Sequence, residues 1–195
     1  MYITFKRVID LVVSLIAIVI LSPLMVIIAI IIKLESKGPI LFKQMRVGKD
    51  KKLFYILKYR TMRIDAPKDM PTHLLKDPKS YITSVGGFLR KTSLDELPQL
   101  INILKGEMSI IGPRPALWNQ YDLISERDKY RANDISPGMT GLAQIKGRDE
   151  LEIDEKAKLD GEYARDISLL KDLNLFVKTF YIVLKSEGVQ EGSKQ

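Results

Sequence analysis

The sequence predicts a helix-dominated α+β protein carried on an N-terminal membrane helix. Three observations lead there. A run of 22 apolar or small residues, Leu11 to Ile32, holds no charge. Two short β-prone runs then flank a glycine-containing turn. Stretches with helical periodicity or helix start and stop signals fill most of the remaining chain.

As one straight helix the apolar run would measure roughly 33 Å, the thickness of a hydrocarbon core. Ser22-Pro23 interrupts it. Pro23 lacks a backbone donor and crowds the preceding turn, so a bend is expected there. Ser22 can hydrogen-bond the carbonyl that the proline frees. Both flanks are basic: Lys6 and Arg7 precede the run, and Lys33, Lys37, Lys43, Arg46, Lys49, Lys51 and Lys52 follow it. A spanning helix shows a bias of Lys and Arg toward one end. A helix that dips in, kinks and returns satisfies both flanks, and a bitopic anchor with a proline kink satisfies the hydropathy. The segment alone leaves both readings open. A cleavable signal peptide fits poorly, because the run ends in Lys33-Leu-Glu-Ser-Lys37 and not in a small-residue site.

Net charge is +7 over 195 residues, unevenly spread. Residues 1–63 hold 12 Lys/Arg against 3 Asp/Glu, leaving 19 against 21 in the rest. The basic part adjoins the apolar run, so an anionic leaflet is its natural partner and nucleic acid is not expected. With no cysteine there is no disulfide framework and no thiolate metal site. The chain divides into a membrane segment (1–37), one modest domain (38–188) and a loose tail (189–195).

Within the domain, Ile40 to Phe42 and Leu53 to Leu57 around Val47-Gly-Lys-Asp50 read as a hairpin. Residues 65–80 are polar, with three prolines, and read as loop. His73, the only histidine, lies there and receives no role. Leu94 to Leu104 is expected helical with Gly106 as its stop, and Ile110 to Pro115 is a rigid loop. Ala116 to Asn133 reads as a polar helix, and Ser136 to Gly141 as a turn. Glu152 to Arg165 and Ile167 to Leu184 are expected helices. The last is amphipathic with Lys171, Lys178 and Lys185 at heptad spacing. That pattern fits a helix in the headgroup layer, but sequence alone favours an ordinary surface helix over a core.

The chemistry centres on Arg90-Lys-Thr-Ser-Leu-Asp95-Glu96-Leu-Pro-Gln99. Ser93-x-x-Glu96 matches a capping box, which would make the acids mere helix caps. Pro98 conflicts with that start, since a position inside the helix needs its donor. A start nearer Asp95 places Pro98 in the tolerant first turn. Around the acids stand phosphate-binding candidates: Lys58 and Arg60, Arg90 and Lys91, Arg114 between two prolines, and Arg148. The prolines lower the entropy cost of fixing Arg114. Two carboxylates among cations suggest Mg²⁺ with phosphoryl groups, or a carboxylate nucleophile.

Lys58-Tyr-Arg-Thr-Met62, Ser93-Leu-Asp-Glu-Leu-Pro-Gln-Leu100, Gly106-Glu-Met-Ser-Ile-Ile-Gly-Pro-Arg-Pro115 and Pro137-Gly-Met-Thr-Gly-Leu-Ala-Gln144 resemble the bacterial sugar transferases. These are monotopic phosphoglycosyl transferases acting on polyprenol phosphate. The resemblance runs from about Lys6 to Gly188, and the length is similar to that of the small, catalytic-domain-only type. It implies a re-entrant helix broken at Ser22-Pro23, on the cytoplasmic face of the bacterial inner membrane. It implies attack by Asp95 on the β-phosphorus of a UDP-sugar, with Glu96 (and Asp95 beside it) binding Mg²⁺. Polyprenol phosphate then takes the sugar phosphate, and downstream glycosyltransferases would use the product. Arg90, Arg114 and Arg148 fall where the resemblance implies phosphate or nucleotide contacts, and Asp160 at an acidic position of a later helix. Asp149-Glu150 departs from the Asn and small residue that often follow the Gly147-Arg148 position. A non-catalytic membrane scaffold and a lipid-phosphate hydrolase are the competing classes.

Overall fold

The computed structural model describes residues 2–67, 77–147 and 151–185. Helix α1 (Tyr2–Glu35) opens the chain and is the one described helix long and apolar enough to cross a membrane. It continues through Pro23. Ser22 Oγ donates to Val19 O at 2.9 Å, the carbonyl that Pro23 leaves without its helical partner. That is the local compensation expected from the dipeptide.

The predicted hairpin forms from β1 (Leu41–Val47) and β2 (Leu53–Tyr59), antiparallel with Leu41 opposite Tyr59 and Val47 opposite Leu53. Helix α2 (Ser84–Lys91) follows the loop. Its Gly86-Gly87 pair has low helix propensity, which hid it from sequence reading. Gly86 is required by close approach, because a Cβ there would lie 2.0 Å from Thr61 O. A single 3-10 turn, Leu94–Glu96, leads into α3 (Gln99–Lys105), and Gly106 ends α3 at φ +85° as expected.

Beyond α3 the expectations need two corrections. Ser109–Ile111 is a strand, β3, and Gly138–Thr140 is a parallel partner, β4. Three-residue strands are too short to show a period. The polar helix is α4 (Tyr121–Lys129), shorter than expected at both ends. Its front end is lost because Ala116-Leu117 lies along the hairpin: Val47 N donates to Ala116 O at 2.9 Å. Helices α5 (Leu142–Lys146), α6 (Ile153–Arg165) and α7 (Leu169–Lys185) complete the chain.

Helix α1 lies along the domain for much of its length. Ala17 and Ile18 pack on the core of Phe54, Ile56, Leu100, Ile103 and Met108. Ile28 and Ile32 are buried with Tyr59 and Leu89. Polar groups fasten both ends. Tyr2 Oη and Lys6 Nζ each donate to Asp172 at 2.8 Å, and Arg7 donates to Ile103 O and Leu104 O at the end of α3. Asp10 accepts from Ser109 Oγ and Ile110 N. At the far end Glu35 accepts from Val85 N, joining Thr83 in capping α2, while Tyr59 Oη donates to Met25 O. The opposite face of α1 exposes large apolar side chains from Ile3 to Leu34. Helix α7 likewise buries Leu175 and Asp172 but exposes Leu170, Leu173, Val177, Phe180 and Tyr181. One side of α7 covers the core of Ile111, Leu142 and Tyr163 through Leu175, while the rest of its apolar stripe faces outward.

Asp10→Leu should lower stability by about 2 to 4 kcal/mol, because it leaves the Ser109 and Ile110 donors unpaired. Thermal unfolding in detergent measures this. If α1 stood free of the domain, removing a carboxylate from an apolar helix would stabilise the protein.

Candidate active site

Glu96 closes the 3-10 turn, and cations from two other segments meet it. Lys58 Nζ, near the end of β2, donates to Glu96 Oε1 at 2.6 Å. Arg114, from the loop after β3, donates to the same oxygen at 3.2 Å. Its loop is pinned on both sides. Gly138 N donates to Pro113 O at 2.8 Å, and Arg46 donates to Pro115 O at 2.9 Å. A Cβ on Gly138 would sit 2.1 Å from Gly112 N, so only glycine permits this approach. Arg90, in the last turn of α2, donates from Nε to Thr61 Oγ1 at 2.9 Å.

No capping box forms. Ser93 sits at φ +56° and its side chain makes no cap bond. The carboxylates are therefore not helix caps, and Asp95 is 8% exposed. Their environments differ. Burial, with the neighbouring Glu96 charge, raises the Asp95 carboxyl above the usual aspartate range, against the pull of Lys58, Arg90 and Arg114. For Glu96, burial also opposes ionisation, but Lys58 and Arg114 outweigh it and hold the carboxyl well below its ordinary value. Burial lowers Lys58 in turn, partly offset by Glu96. One acid is a firmly ionised anchor, and its neighbour is a desolvated, poorly stabilised carboxylate.

The other sequence candidates separate from this cluster. Arg60 is 6% exposed, and its guanidinium donates to Ser36 O and Lys37 O, satisfying carbonyls just past the end of α1. Asp160 on α6 is buried against Arg127, whose Nε donates to it at 2.9 Å, joining α6 to α4. Burial raises its carboxyl, and Arg127 opposes that. Arg148, Asp149, Glu150 and His73 lie outside the described residues. Thr61, which orients Arg90, carried no signal in the sequence beyond its place in Lys58-Tyr-Arg-Thr-Met62.

The donor chemistry fits Mg²⁺: adjacent carboxylates offer hard oxygen ligands. Among the described residues no three His, Cys, Asp or Glu side chains gather into a metal cage. Such an ion would therefore need substrate phosphates to complete its coordination.

The family described as bacterial sugar transferase matches residues 1–186, and the chain belongs to it. It is 40% identical over 185 residues to the UDP-glucose:undecaprenyl-phosphate glucose-1-phosphate transferase of Escherichia coli, covering 90% of this chain and 39% of that protein. It is 36% identical to the undecaprenyl-phosphate galactose phosphotransferase of Salmonella typhimurium, covering 94% of this chain and 41% of that one. The uncharacterized sugar transferase EpsL of Bacillus subtilis is 37% identical, with 95% of this chain and 90% of EpsL covered. The chain thus spans about two fifths of several curated relatives and nearly all of EpsL.

Because the Asp95 carboxyl is raised in the fold, this group favours folding most below the ordinary aspartate range and loses that contribution as pH rises through its folded value. Asp95→Asn should therefore be at least as stable as the wild type at neutral pH, with the difference vanishing in acid. Chemical denaturation across pH reads this. A capping aspartate would instead lose about 1 kcal/mol on substitution.

Proposed function

We propose that the protein transfers a sugar-1-phosphate from a UDP-sugar to polyprenol phosphate by way of Asp95. The carrying observation is the pair of buried Asp95 and half-buried Glu96 met by Lys58 and Arg114, with Arg90 beside it. A carboxylate oxygen of Asp95 attacks the β-phosphorus. The bond from that phosphorus to the bridging oxygen breaks, UMP leaves with the electron pair, and an aspartyl sugar phosphate remains. A phosphate oxygen of the polyprenol then attacks the same phosphorus. Asp95 leaves as carboxylate and the product is a polyprenyl diphosphate sugar.

The environments match these roles. A desolvated carboxylate is a stronger nucleophile than a hydrated one, and the surrounding cations meet the charge that develops on the phosphoryl oxygens. The planar fork of Arg114, set between two prolines, suits two phosphate oxygens at once. Ionised Glu96 is the residue that would hold Mg²⁺, with Asp95 adjoining. When bound, the ion would neutralise charge on the diphosphate. The relatives' names carry the same reaction class for those proteins.

A monotopic, re-entrant placement on the cytoplasmic face accompanies this reading. At about 1.5 Å per residue, 34 residues of α1 exceed a hydrocarbon core. Yet Tyr2, Lys6, Arg7 and Asp10 at one end and Glu35 at the other all bind one domain. A straight span would carry one end across the bilayer, away from that domain. The outward apolar stripes of α1 and α7 suit a lipid surface, and the basic flanks suit anionic headgroups. Leu94 and Leu97, which bracket the carboxylates, pack on an apolar cluster of Tyr59 and Leu89 that also holds Ile28 and Ile32 of α1. That brings the site within reach of a lipid acceptor.

The test is a panel of UDP-sugars with polyprenol phosphate, read as UMP release. Sustained release should need both substrates and should stop on chelation of Mg²⁺. Arg114→Lys should lose most activity while folding and membrane association persist. A hydrolase would need no UDP-sugar, and a scaffold would release nothing.

Cysteines placed at Tyr2 and Lys37 should both label only from the cytoplasmic side. Labelling of either from the opposite side would contradict the re-entrant placement.

A further inference from the structure

Asn102, on α3, is fully buried, and its carboxamide makes three hydrogen bonds. Nδ2 donates to Tyr55 O at 2.8 Å, and Oδ1 accepts from Leu57 N at 2.9 Å. These two β2 groups straddle Ile56. That is the pair of bonds a residue in a parallel neighbouring strand would make. The remaining Nδ2 proton goes to Glu107 Oε2 at 2.7 Å, and the Asn102 carbonyl accepts from Glu107 N at 3.0 Å. One residue thus joins β2, α3 and the turn that enters β3.

Each of those segments brings one charge to the site. Lys58 directly follows Leu57 on β2. Glu96 stands at the end of the turn before α3. Arg114 lies just beyond β3. A helix packed on a strand edge by apolar contacts alone can slide, whereas a fully satisfied buried amide specifies one alignment. We propose that Asn102 is a positioning residue: it sets the register of β2 against α3 and so brings Lys58 Nζ onto Glu96 Oε1. The proposal rests on the assignment of Asp95 and Glu96 to the reacting site.

Asn133 provides the control. It is also buried and donates to Ile124 O and to Asp128, in the turn after α4. Asn102→Ala and Asn133→Ala should both lower the unfolding temperature. Where both are folded, UMP release by Asn102→Ala should fall by about tenfold or more, as expected when reacting groups are misplaced by an ångström. Asn133→Ala should keep the wild-type rate. In unfolding measurements Lys58→Met should cost less in the Asn102→Ala background than in the wild type. That coupling reads out whether or not the substrate is a UDP-sugar. A wild-type protein inactive on every UDP-sugar would end the transferase reading and leave the coupling to decide the role of Asn102. Asn102→Ser serves the same comparisons if the alanine variant does not fold. Additive stability effects, or a wild-type rate in the Asn102 variant, would overturn the proposal.

Discussion

Withdrawing two adjacent carboxylates from water, Asp95 fully and Glu96 in large part, is the constraint around which the domain is arranged. Each would cost several kcal/mol in desolvation without charge partners. The partners cannot come from the same short turn, so the chain gathers them from elsewhere. Lys58 arrives on a hairpin, Arg90 on the last turn of α2, and Arg114 on a loop pinned by β4. The compensation is unequal. Lys58 and Arg114 both bond Glu96, which keeps its charge. Asp95 has the same cations as neighbours but stays under-stabilised. Such asymmetry divides a carboxylate pair into an anchor and a reactive group.

Helix α1 is the second organising element, because it answers to two solvents. One face completes the core, and its polar residues stitch α2, α3, β3 and α7 to it. The other face is dominated by exposed apolar side chains. The carboxylate turn shares an apolar cluster with the second half of α1, in which Leu94 and Leu97 join Tyr59, Leu89, Ile28 and Ile32. Docking of α1 and the geometry of the site are therefore mechanically linked.

Patterns that rest on local physics were legible in the sequence. The apolar run, the hairpin turn, the Gly106 stop and the Ser22 compensation for Pro23 are all found. What escaped depends on long-range contacts. Strands β3 and β4 are three residues each and form only because Gly112 and Gly138 let their backbones meet. Ser93 to Glu96 matches a capping box in composition, yet Ser93 adopts a left-handed conformation that removes the cap. At the site, Lys58, Glu96 and Arg114 converge as the motifs suggested. Arg60 shows why a basic residue in a motif is ambiguous: its guanidinium satisfies carbonyls at the end of α1. Asn102 gave no signal, since its partners are main-chain atoms that no side-chain pattern encodes.

The central claim is that Asp95 becomes covalently attached to the transferred group. Intact-mass spectrometry of the wild-type protein given a UDP-sugar without lipid acceptor tests this most directly, with peptide mapping to locate any adduct. The account predicts a single sugar-phosphate addition on Asp95 that disappears when polyprenol phosphate is supplied. The same addition on Asp95→Asn, or turnover with no adduct on any residue, would contradict it.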